Sequence, residues 1–155
     1  MGDIFFVKVP EMFQAVRNTE VNGPVIVFCH GLMDNRLGCS SQFKNLCSYG
    51  FTVYSFDFQD GSAIYAQDVE GKPIFHEHSI ILDLPLRKKQ LQMRVEQLEG
   101  FLEEQELKDK EVILMGHSFG GATALMASSR NKSGRIKACC VFDPWTFPMQ
   151  EEILN

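Results

Sequence analysis

Glu111-Val112-Ile113-Leu114-Met115-Gly116-His117-Ser118-Phe119-Gly120-Gly121-Ala122-Thr123-Ala124 is the stretch whose reading decides the fold. Glu111 to Met115 is an apolar, β-branched run of strand length, of the kind that suits a strand buried on both faces. Directly after it, Gly116-His117-Ser118-Phe119-Gly120 matches G-x-S-x-G, a sharp strand-to-helix turn that lifts a serine hydroxyl above the edge of a sheet. The flanking Gly116 and Gly120 are required sterically, because a side chain at either place would meet the neighbouring strand or helix. Small residues follow at Gly121, Ala122 and Ala124, which lets the start of a helix press against the sheet. That helix is expected from after Ser118 to about Arg130, where the Asn131 to Gly134 cluster stops it.

Outward from this unit the same pattern repeats. Pro24 to Cys29, Phe51 to Phe56 and Ala138 to Phe142 read as further short buried strands, and Ile4 to Val9 as an additional outer one. A helix is expected from about Leu84 to Gln105, with Leu91, Val95, Leu98 and Leu102 forming one buried stripe and Pro85 in its first turn. A shorter helix covers Ser40 to Ser48. Strand and helix in alternation imply right-handed crossovers, a mostly parallel sheet and helices on both faces, so the fold class is α/β. Asp57 to Asp83 lacks strong periodicity and is long for a connection, which marks residues 58–83 as a candidate lid or substrate loop. No internal repeat or interdomain linker interrupts residues 1–155, and one domain is expected.

Composition narrows the classes of function. Apolar residues make up 45% and charged residues 23% of the chain, a globular mix far from that of disordered segments. A formal charge of −5 repels nucleic acid, and no nucleic-acid partner is expected. No apolar run reaches the roughly 18–20 residues of a membrane helix. Met1 to Pro10 lacks the basic and apolar regions of a secretory signal, which favours a cytoplasmic location. The cysteines at 29, 39, 47, 139 and 140 show no C-x-x-C spacing, so reduced, mostly buried thiols are expected, with no metal and no cofactor.

The chemistry centres on Ser118. A serine hydroxyl needs a general base, and the charge that develops on an attacked carbonyl oxygen needs fixed donors. The backbone N–H of Phe119, at the helix N-terminus, is one expected oxyanion donor. The second is the N–H of Leu32, in the strand-ending turn Cys29-His30-Gly31-Leu32. Asp143 directly follows Ala138 to Phe142 and belongs at the same carboxyl edge of a parallel sheet, where it would be the orienting acid. In this arrangement the base follows the acid in chain order, yet His30, His76, His78 and His117 all precede Asp143. His117 should point away from Ser118, His30 belongs to the oxyanion turn, and His76 and His78 sit in the long loop. The triad histidine is therefore absent from the chain. The strand carrying Asp143 would also be an apolar edge with unpaired backbone groups, and both observations lead us to expect a fragment of a longer hydrolase.

Several motifs together resemble one family, the platelet-activating factor acetylhydrolases. They are His30-Gly31-Leu32, then Asp60, Ser62 and Ala63, then Arg87, Gln90, Leu91 and Arg94. Gly116-His117-Ser118-Phe119-Gly120-Gly121-Ala122-Thr123 and Phe142-Asp143-Pro144-Trp145-Thr146-Phe147-Pro148 complete the set, which spans most of the chain from about Gly23. The resemblance implies an α/β-hydrolase fold, incomplete at the C-terminus. It also implies a calcium-independent serine esterase that removes short or oxidised acyl chains from the sn-2 position of glycerophospholipids. Carried over, Ser118 is the nucleophile, Asp143 the triad acid, and Leu32 and Phe119 the oxyanion donors, whereas the family's histidine has no counterpart. The implied partner is a phospholipid or small acyl ester, met at a membrane or lipoprotein surface, although no basic amphipathic helix of the interfacial type is found. Loss of the base implies little or no turnover by this chain. Two alternatives stay open: a generic carboxylesterase or thioesterase of the same fold, and a non-catalytic binding module.

Overall fold

The structure, a computed structural model, describes residues 24–104 and 107–149. In chain order the elements are β1 (Val25–Cys29), α1 (Ser40–Ser48), β2 (Thr52–Ser55), β3 (Tyr65–Gln67), β4 (Pro73–Phe75), α2 (Leu84–Leu102), β5 (Val112–His117), α3 (Phe119–Arg130) and β6 (Ile136–Phe142). A short 3-10 turn follows at Phe147–Met149. The proposed outer strand Ile4 to Val9 lies outside the described residues.

Four strands form a parallel sheet in the order β2-β1-β5-β6. All five residues of β1 are buried, as its continuous apolar run requires of a strand covered on both faces. Val25, Val27 and Cys29 pack with Val112 and Leu114 against α2 and α3, while Ile26 and Phe28 pack with Val53 against Phe43 of α1. Helices therefore lie on both faces. Burying side chains of this size contributes roughly 1.5–3 kcal/mol each, and β1 is the strand on which both cores are built.

The stripe on α2 is buried as read, with Leu91, Val95, Leu98 and Leu102 each at most 3% exposed. Asp83 caps the helix by accepting from the Leu86 N–H at 3.1 Å, and Pro85 occupies the first turn, where no N–H is needed. The helix ends at Leu102. β5 runs two residues further than its apolar pattern, because Gly116 and His117 pair with Val141 and Phe142 of β6. Among the described residues β6 is the outermost strand. Its Cys139 and Val141 pack on the main core, whereas Cys140 and Phe142 are exposed.

The long connection between β2 and α2 is not uniform. Residues 60–63 are buried against α2, and only the outer part carries the antiparallel β3–β4 hairpin. The thiols are also less buried than composition implied. Cys29 is buried, Cys39, Cys47 and Cys139 are half-buried, and Cys140 on the outermost strand is exposed.

Candidate active site

The bend between β5 and α3 places Ser118 at φ +52 and ψ −117, a conformation that a residue with a Cβ rarely adopts. Surrounding bonds over-determine it. The Ser118 N–H donates to the Phe142 carbonyl at 3.0 Å, and the Ser118 carbonyl accepts from Gly121 at 2.9 Å and Trp145 at 2.9 Å. The side chain is half-buried and makes no capping bond to the helix that it begins. Strain of this kind costs on the order of 1–3 kcal/mol. Ser118→Gly is accordingly expected to raise stability by about 1 kcal/mol in urea unfolding, and Ser118→Ala to leave it nearly unchanged.

Two glycines let the bend close on the sheet. A Cβ on Gly120 would stand 2.0 Å from the Cys29 carbonyl oxygen, and one on Gly116 would stand 2.3 Å from the Gly120 oxygen. The turn after β1 reaches the same place, for a Cβ on Gly31 would lie 3.5 Å from the Ser118 Cβ and 3.4 Å from His117 Nδ1. Leu32, next to Gly31, is half-buried at the edge of the main core, and Phe119 is fully buried. Asp143 is exposed at the carboxyl end of β6 with φ +44. It is flanked by the two backbone bonds that tie Phe142 and Trp145 to Ser118. Leu32, Ser118, Phe119 and Asp143 thus gather at one edge of the sheet.

The histidines do not join them. Among the described residues no histidine is hydrogen-bonded to Ser118 or Asp143. His117 is exposed beside Gly31, and His76 and His78 contact each other edge to face in the long loop. His30 is fully buried. Its Nε2 faces the Phe58 N–H at 3.3 Å and must accept, so Nδ1 carries the proton and donates to the Gly31 carbonyl at 2.7 Å. Burial, helped by the nearby Arg94 charge, holds its pKa down to about 3. A ring so engaged cannot take a proton from serine at neutral pH.

Asp60, Ser62, Arg87, Gln90 and Arg94, motif residues to which the sequence assigned no role, hold this turn together. Arg94 of α2 is fully buried, with Nε donating to Ser62 Oγ at 2.8 Å and to Asp60 Oδ2 at 3.2 Å. Its terminal nitrogens donate to the His30 carbonyl at 2.7 Å and the Gly31 carbonyl at 3.3 Å. The guanidinium lies between two rings, 4.4 Å from the centre of Phe58 and 4.5 Å from that of Phe119. Beside it, Gln90 donates to the Asp60 carbonyl and accepts from Arg87, which is also fully buried. The signal was present in the spacing, because 87, 91, 94 and 98 lie on one helical face and two of the four are arginines.

Burial lifts the Cys29 thiol to about 12, which leaves it un-ionised and without nucleophilic competition for Ser118. Among the described residues no three acidic, histidine or cysteine side chains converge as metal ligands, and no helix is long and apolar enough to cross a membrane. A cavity of about 360 Å³ lies elsewhere, lined by Arg36, Asp57, Gln59, Tyr65 and the hairpin turn, and none of the four gathered residues borders it.

Comparison with known proteins bears on the fold and the family. Among solved structures, a monoacylglycerol lipase from Paleococcus ferrophilus superposes with a TM-score of 0.57 at 21% identity, over 77% of this chain and 38% of that one. An extracellular α/β-hydrolase from a Paenibacillus species gives 0.51 at 23% identity, over 79% and 41%. Both likenesses establish an α/β-hydrolase fold. In sequence, the platelet-activating factor acetylhydrolase of Cavia porcellus is 30% identical over 95% of this chain, and that of Bos taurus 27% identical over 94%. The chain spans about 40% of the length of these relatives. The family model described as platelet-activating factor acetylhydrolase, isoform II, matches residues 6–104 and 90–155. With nearly the whole chain accounted for in this way, the protein belongs to the platelet-activating factor acetylhydrolase isoform II family.

Proposed function

We propose that this chain carries the nucleophile, the acid and the oxyanion hole of a calcium-independent serine esterase that cleaves short or oxidised sn-2 acyl groups from glycerophospholipids. Ser118 Oγ attacks the ester carbonyl carbon, and the carbonyl oxygen becomes an oxyanion held by the N–H groups of Leu32 and Phe119. Collapse expels the glycerol oxygen, which takes up the proton lost by serine, and leaves an acyl-serine that water hydrolyses. Asp143 is the acid that orients the base. The base itself is not among the chain's four histidines, so turnover by these 155 residues alone is residual. On this reading the chain is part of one α/β-hydrolase domain, with residues 58–83 as its substrate loop. A lipid surface is the place of encounter, and the exposed run Ile80-Ile81-Leu82 supports that assignment.

The observation that carries the reading is the strained Ser118, its side chain uncapped at the start of α3 and close enough to the turn after β1 that a Cβ on Gly31 would lie 3.5 Å from its own Cβ. The test is acetate release from a 1-alkyl-2-acetyl phospholipid in the presence of EDTA. Release is expected to be slow, to rise roughly tenfold with added imidazole, which supplies the missing base, and to vanish in Ser118→Ala. A release that imidazole does not raise above the Ser118→Ala background sinks the proposal. Faster cleavage of simple esters or thioesters than of the phospholipid would favour a generic esterase instead.

A further inference from the structure

We propose that Arg94 is a positioning residue for the oxyanion hole, setting the direction of the Leu32 N–H. The inference rests on the serine esterase reading and adds to it a group that touches neither substrate nor nucleophile. Its basis is peptide geometry. The Gly31 carbonyl and the Leu32 N–H belong to one peptide unit, and in a trans peptide these two groups point in opposite directions. Arg94 and His30 both donate to the Gly31 oxygen, at 3.3 Å and 2.7 Å, from the buried side. Fixing the carbonyl inward turns the N–H outward, toward Ser118. A second donation, to the His30 carbonyl at 2.7 Å, fixes the preceding peptide as well.

Charge adds to orientation. A cation donating to a carbonyl polarises the whole amide, so the N–H at its other end becomes a stronger donor to an anion. The same guanidinium stacks on Phe119, whose backbone N–H is the second arm of the hole. That contact is with the ring, whereas the Phe119 N–H is fixed by the start of α3, so the Leu32 arm is the one that depends on Arg94. Stability alone gives a weak reason to keep it, since a buried ion pair such as Arg94–Asp60 is often no better than a well-packed apolar pair.

The test uses the full chain, Arg94→Lys, and the double variant Arg94→Met with Asp60→Leu, which removes both charges together. Folding is verified by thermal unfolding. Each protein is treated with a fluorophosphonate, whose phosphoryl oxygen occupies the hole once Ser118 is labelled. The maximal labelling rate of the folded variants is expected to fall about 100-fold, the loss typical of one oxyanion donor, with the half-saturating concentration unchanged. In the labelled chain the amide protons of Leu32 and Phe119 should both move downfield by NMR. In the labelled variants the Leu32 shift should be lost and the Phe119 shift largely kept, a pattern that general loosening would not produce. Labelling of the folded variants within threefold of the unsubstituted chain, or equal loss of both shifts, overturns the role of Arg94 alone. If the unsubstituted chain takes no label at Ser118, the esterase reading fails first and the Arg94 proposal falls with it.

Discussion

Gly120→Ala should destabilise the protein by about 4 kcal/mol, a large share of the roughly 5–15 kcal/mol that typically holds a domain folded. Two effects oppose each other at this position. Gly120 is the second residue of α3, where alanine would gain up to about 1 kcal/mol of helix propensity. Against that, the new Cβ would lie 2.0 Å from the Cys29 oxygen, 2.5 Å from the Cys29 carbonyl carbon and 2.6 Å from the His30 oxygen. All three are backbone atoms at the end of the strand that pairs with both β2 and β5. That strand cannot yield without breaking the sheet, so α3 would have to lift away from it. The Gly121-to-Ser118 bond and the approach of Phe119 to Arg94 would be lost with the helix. Gly71→Ala is the control, because its φ is +80 but nothing lies within 4 Å of the added carbon. It should cost only about 1 kcal/mol, from backbone strain. If urea unfolding gives the two alanine variants similar losses, the close approach of α3 to β1 is not what the glycine serves.

The features legible in the sequence are those that repeat locally. Val25 to Cys29 could be assigned to a doubly covered strand because every residue in it is apolar. Leu91, Val95, Leu98 and Leu102 could be assigned to a buried stripe because their spacing follows the helix. The bend at Ser118 was legible because its two glycines are a steric demand written into five consecutive residues. What stayed hidden depends on residues far apart in the chain. Arg94 is named in a motif but has no role until Asp60 and Ser62, more than thirty positions earlier, are brought to it. The β3–β4 hairpin was hidden for a different reason, since its strands have only three residues each. Its turn nevertheless carries a local signal, with Asp68 Oδ1 accepting from Glu70 and Lys72 and Gly71 in the left-handed region. Positive φ at Met33 and Asp143 had no such signal, although Met33 directly follows Leu32 and Asp143 is itself one of the gathered residues.

The buried network makes the fold sensitive to acid at a residue that takes no part in proton transfer. His30 titrates near 6.5 in an unfolded chain and near 3 in the folded protein, chiefly through burial and then through the Arg94 charge. Between these values the unfolded chain binds a proton that the folded chain refuses, so stability rises with pH. The contribution is complete above about pH 6.5 and is lost as the pH falls toward 3, up to roughly 5 kcal/mol in all and about 2 kcal/mol by pH 5. Protonation would also remove the acceptor for the Phe58 N–H and set a second cation beside Arg94. His30→Asn keeps a donor near the Gly31 carbonyl but has no group that titrates. At pH 7.5 the variant should be less stable by about 1–3 kcal/mol, because the Phe58 N–H is left unpaired. Its stability should then change little between pH 7.5 and 5.5, where the unsubstituted protein loses about 1 kcal/mol. Parallel urea unfolding curves across that interval for the two proteins would mean that His30 is not held neutral by its burial. The turn that presents the Leu32 N–H would then rest on something other than the His30–Arg94 contact.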